Sequence, residues 1–200
     1  MARLFVVRHG NTFDAGNVVT RVGGRTDLPL SSSGRKQAGA LAAHFAETRF
    51  TAALASPLER TRATARAILG TRTDAPALLI RSFLREIDYG PDENQPEAAV
   101  IARLGEAALK AWDEDGAPPE GWIVDPAAIR AGWAELLKEI STLAEDANIL
   151  VVTSNGTARF LPDVVHAAPD GLDRKLKTGA WGEIDVMSAR AEIKAWNQRP

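Results

Sequence analysis

Apolar positions fall into short runs separated by polar, turn-rich stretches. Leu4-Phe5-Val6-Val7 is continuous and half β-branched, which predicts a strand buried on both faces. Thr51–Ala55, Ala77–Ile80 and Ile149–Thr153 read as further strands. Between them the spacing turns helical. Ala38, Leu41, Ala42 and Phe45 mark a helix from Gly34 to about Glu47, capped by Ser33. Ser56-Pro57 opens a helix over Leu58–Leu69, and Gln95–Trp112 is a further helical stretch. Asp125-Pro126 starts another, running to about Leu143 with Ile129, Trp133, Leu136, Leu137 and Ile140 as its buried stripe. The tail from Thr178 to Trp196 alternates as a hairpin does. Strands alternating with helices predict a three-layer α/β sandwich, helices on both faces of a mostly parallel central sheet, with residues 1–200 as one domain.

In such a sheet, ligands bind beyond the carboxyl ends of the strands. The first strand ends at Arg8-His9-Gly10, a cation and an imidazole followed by a turn residue. Taken alone, that tripeptide is as consistent with a solvated turn as with a site. Arginine, however, grips phosphate oxygens in a bidentate way, and a neutral imidazole serves as base, nucleophile or ligand. Arg60 follows the second strand end in the first turn of its helix, where free backbone N–H groups also favour an anion. The stretch Ser82–Pro91 carries Glu86 and Asp88; Asp88 reads as a turn acid. The long loop Asn11–Ser33 carries Arg21 and Arg25, either solvated or placed for a second anionic group on a substrate. Asp113–Gly121 reads as a connection over the site. His44 and His166 fall where structural roles are expected.

Composition then narrows the classes. The 200 residues carry a formal net charge of -2, with no basic excess to suggest nucleic acid. No apolar stretch is long enough to span a membrane, and the first is too short for a signal peptide, so a cytoplasmic location is the expectation. With no cysteine, thiolate nucleophiles and cysteine-ligated metals are excluded.

Three strand ends thus deliver Arg8-His9-Gly10, Ser56-Pro57-Leu58-Glu59-Arg60 and Ser154-Asn155-Gly156, with Glu86 on a loop. In this order, with Gly24-Arg25-Thr26-Asp27-Leu28-Pro29-Leu30 between the first two, the set resembles the histidine phosphatase superfamily, also called phosphoglycerate mutase-like, over essentially the whole chain. The resemblance implies that His9 is the nucleophile and forms a phosphohistidine. It implies that Arg8 and Arg60 hold the phosphoryl oxygens, and that Glu86 is general acid and then base. It also implies a small phosphorylated substrate, with no cofactor and no metal.

One position departs from the family pattern. Its second histidine follows the late strand, and there this chain has Ser154-Asn155-Gly156, with Ser154 at the histidine position. Ser154 and Asn155 are expected to donate hydrogen bonds to the phosphoryl group without carrying charge. The expectation is therefore a metal-independent phosphomonoesterase. The alternative is a weakly active or inactive member that binds a phosphorylated ligand or a protein partner.

Overall fold

A computed structural model describes residues 1–70, 72–188 and 190–200. Its centre is one six-stranded sheet. The strands are β1 (Ala2–Arg8), β2 (Ala52–Ala55), β3 (Leu78–Ile80), β4 (Asn148–Thr153), β5 (Trp181–Met187) and β6 (Arg190–Gln198), in the spatial order β3-β2-β4-β1-β5-β6. Strands β3, β2, β4 and β1 are mutually parallel; β5 and β6 are the antiparallel tail hairpin. In register, Val6 faces Val151 on β4 and Gly182 on β5, so β1 is paired on both sides.

The pleat explains the continuous apolar runs. Leu4 and Val6 pack into one core with Leu54, Val151, Trp133 and Ile140, while Phe5 and Val7 pack into another with Leu41, Phe45, Ile68 and Val152. Helices α1 (Ser32–His44) and α2 (Glu59–Leu69) cover the second face. Helix α5 (Pro126–Ser141) covers the first. Asp125 caps α5 by accepting from the Ala128 N–H at 2.9 Å, and Ser31 caps α1 through Gly34, two residues upstream of the expected Ser33.

The expected Gln95–Trp112 helix is two helices, α3 (Glu97–Leu104) and α4 (Glu106–Asp115). They break at Gly105, whose φ of 78° no helix accommodates. The helix expected after β4 is a single turn, α6 (Asn155–Ala158). Gly10 is needed for close approach: a Cβ there would stand 2.4 Å from the Gly34 carbonyl oxygen at the start of α1. His44 lies exposed at the end of α1, its ring centroid 4.9 Å from that of Trp181. The His166 Nδ1 accepts the Ala191 N–H beside β6. Among the described residues no helix is long and apolar enough to cross a membrane.

Candidate active site

The carboxyl ends of β1, β2 and β4 meet around a cavity of about 560 Å³, and Arg8, His9, Arg60, Glu86, Asn155 and Arg21 all line it.

His9 is buried, and its Nδ1 lies 2.7 Å from the Gly10 carbonyl oxygen. A carbonyl only accepts, so Nδ1 carries the proton and Nε2 keeps its lone pair. Opposite it, Arg60 Nε–H approaches Nε2 at 3.2 Å, and donating there requires an unprotonated nitrogen. Burial pushes the imidazole well below the usual histidine range, and the Arg60 and Arg8 guanidiniums push the same way. The loop is tied to α2 through Thr64, whose hydroxyl accepts the Gly10 N–H and donates to the Arg60 carbonyl.

Arg60 sits in the first turn of α2 and is fully buried. Its terminal nitrogens donate to the Thr26 and Gly23 carbonyls at 2.8 and 3.1 Å. One guanidinium therefore faces the cavity and pins the Asn11–Ser33 loop. Asp27, from that loop, accepts the Glu59 N–H at 2.7 Å and so serves the start of α2. Arg8 donates to the Leu176 carbonyl at 2.9 Å, and its sheltered Nε has no hydrogen-bond partner among the described residues.

Glu86 is buried and accepts the Ile87 N–H at 2.9 Å. Burial raises its carboxyl above the ordinary glutamate range, against the opposing pull of Arg60 and Arg8. Burial thus favours the uncharged form of both groups. Gly156 makes room for this acid: a Cβ there would lie 2.1 Å from Glu86 Oε1.

Two of the expected placements change. Ser154 does not line the cavity; it is fully buried, with its hydroxyl unpartnered. Ser154 is the extended residue that precedes α6 and Asn155 is the first residue of α6, and only Asn155 lines the cavity. Asn155 holds the cavity position instead. Its Oδ1 accepts the Leu176 N–H at 2.8 Å, which leaves its NH₂ as the free end. Arg25 also lies outside. Its Nε is 2.9 Å from Asp88 Oδ2, and its NH₂ end donates to the Gly90 carbonyl, so Asp88 is indeed a turn acid with an added partner. Arg21 lines the cavity but is ion-paired to Glu97 and lies against the Tyr89 and Trp122 rings.

Several wall residues were not singled out from sequence. Arg159, Trp112 and Tyr89 all line the cavity. Arg159 follows Asn155 by one helical turn, a spacing that places both at one strand end. It donates to the Trp112 carbonyl and pairs with Asp113.

The arrangement of Arg8, His9, Arg60 and Glu86 around one cavity agrees with the whole-chain comparison, in which a family model described as histidine phosphatase superfamily (branch 1) matches residues 4–199. The chain belongs to this superfamily. It is 30% identical to a 2,3-bisphosphoglycerate-dependent phosphoglycerate mutase of Gloeobacter violaceus, over 87% of this chain and 80% of that protein. It is 27% identical to the adenosylcobalamin/alpha-ribazole phosphatase of Salmonella typhimurium, over 98% and 96%. Its fold matches a mycobacterial glucosyl-3-phosphoglycerate phosphatase with a TM-score of 0.80 at 24% identity, each chain covered to 98%. The three-layer αβα architecture with a mostly parallel sheet is that of this superfamily.

Proposed function

We propose that this superfamily member is a metal-independent phosphomonoesterase acting on a small phosphorylated metabolite. In the first step His9 Nε2 attacks phosphorus; the N–P bond forms, the ester O–P bond breaks, and the Glu86 carboxyl gives its proton to the leaving oxygen. In the second, water attacks the phosphohistidine while the Glu86 carboxylate takes a proton, releasing phosphate and restoring His9. Arg8 and Arg60 stabilise charge on the transferring oxygens, which is the main task in phosphoryl transfer. Asn155 offers a neutral N–H to the same group.

The observation that carries this reading is the His9 tautomer. The Gly10 carbonyl holds the proton on Nδ1, so the nitrogen facing Arg60 is the nucleophilic one. Relatives bearing both phosphatase and mutase names support phosphoryl chemistry on a small molecule. The test is phosphate release from a panel of phosphomonoesters with excess chelator. Turnover that vanishes in His9→Ala supports the reading; wild type indistinguishable from His9→Ala on every ester ends it.

One observation favours a second reading. An amide stands where a further cation would complete the phosphoryl pocket, which suits a slow or purely binding member. Tight binding of phosphate esters without turnover would select it.

A further inference from the structure

Resting on the phosphatase reading, we propose that the alcohol released from the ester is uncharged and carries an apolar, ring-sized group, and that carboxylated phosphoesters are poor substrates. The cavity falls within the roughly 300–1,000 Å³ of sites for drug-sized ligands, so it holds more than a phosphoryl group. Beyond Arg8 and Arg60, the cations on its wall are Arg21, paired with Glu97, and Arg159 and Lys175, which share Asp113.

Arg21 is ion-paired to Glu97, its side chain only 16% exposed, with the guanidinium 5.4 and 5.2 Å from the Tyr89 and Trp122 ring centroids. Arg159 is 1% exposed, stacks on Trp112 at 4.3 Å and pairs with Asp113 at 3.2 Å. Lys175 shares Asp113 at 3.3 Å from the half-exposed rim, where solvent screens it. A substrate carboxylate approaching any of these cations would sit beside Glu97 or Asp113, a like charge. Arg25, the remaining loop cation considered for such a role, lies outside the cavity.

The apolar part of the wall is Phe13, Val19, Val22, Leu109 and Trp112, and the uncharged polar side chains Asn11, Thr12, Thr20 and Thr178 complete it. Val19 is 52% exposed, an aliphatic side chain on the cavity wall open to solvent. A ring laid against Val19, Leu109 and Phe13 gains burial on both partners, whereas a carboxylate there gains nothing.

The test compares esters of primary alcohols, so that leaving-group reactivity is matched: 2-phenylethyl phosphate against 3-phosphoglycerate and O-phosphoserine. We expect kcat/KM for 2-phenylethyl phosphate to exceed both by about tenfold or more. Val19→Lys places an unpaired cation on the wall at an exposed position, and the preference should then shift toward the carboxylated esters. Equal or higher kcat/KM for 3-phosphoglycerate or O-phosphoserine in wild type overturns the proposal, as does an unchanged preference in Val19→Lys. Should no ester turn over, the phosphatase reading fails by itself, and the substrate class is decided by binding. Titrations of tryptophan fluorescence with 2-phenylethylphosphonate and 3-phosphonopropionate read it directly. Tighter binding of the phenyl compound supports the class, and equal or tighter binding of the carboxylated one overturns it.

Discussion

The Nε–H of Arg60 points at the Nε2 of His9 from 3.2 Å, so the guanidinium and the imidazole share one hydrogen bond at the cavity floor. The same guanidinium holds the Gly23 and Thr26 carbonyls. In the proposed mechanism, orientation of the nucleophile and stabilisation of transferred charge therefore converge on the side chain that also anchors the long loop.

Arg60→Ala should lower kcat by about 10²–10³, the range seen when one preorganised charge-stabilising donor is removed. It should also lower the melting temperature, because two loop carbonyls lose their donor in a buried place. Arg60→Lys keeps the charge but not the fork, and should recover only part of either loss. Steady-state kinetics beside a thermal melt check both; a variant slowed but not destabilised would contradict the anchoring role.

Glu86 gives a pH signature. Its folded carboxyl ionises above the ordinary glutamate value, chiefly through burial. In the unfolded chain it ionises at that ordinary value. Between the two, the folded state binds a proton the unfolded state has lost, so stability falls as pH rises through this window. Glu86→Gln removes the effect, so its melting temperature should gain on wild type by more at about pH 8 than at about pH 4. Its kcat should fall by about 10²–10⁴ on alkyl esters and much less on p-nitrophenyl phosphate, which needs no proton to leave. Equal losses on both would contradict the acid role.

Asn155 and Ser154 make opposite predictions. Asn155→His restores an imidazole at the cavity wall and should raise kcat on alkyl esters about tenfold, the difference between a neutral and a charge-assisted hydrogen bond. Ser154→His forces a ring into a fully buried site that does not line the cavity; it should cost about 1–3 kcal/mol of stability with no gain in rate. A rate gain in Ser154→His alone would contradict the assignment of the cavity position.

Gly156→Ala would bring a methyl within 2.1 Å of Glu86 Oε1. The acid must move, so kcat on alkyl esters should fall while KM changes little. Comparing kcat and KM, with a melt as control for folding, reads the outcome; unchanged kcat would mean that the acid does not need its present seat.

The parts legible in sequence were those whose signature is local. Arg8-His9-Gly10 follows an unmistakable apolar run, Ser56-Pro57 announces the helix that carries Arg60, and alternation marked the tail hairpin. What was not legible depends on geometry across the chain. Ser154 and Asn155 are sequence neighbours between which the backbone turns from extended to helical, and only the folded chain shows which of them lines the cavity. The partners of Arg21 and Arg25 lie on segments 94–97 and 88–90, far along the chain, so their neutralisation carried no local sign. Gly105 interrupts an otherwise helical pattern that reads through it, and only the observed φ shows the break.

The central claim, that His9 Nε2 accepts the phosphoryl group, is tested most directly by rapid quenching of turnover in base, followed by peptide mapping. The account predicts an acid-labile, base-stable phosphoryl group on the Nε2 of His9, formed and lost at rates compatible with kcat and absent from His9→Ala. Turnover with no phosphoryl group trapped on His9, or with the group found on another residue, would contradict it.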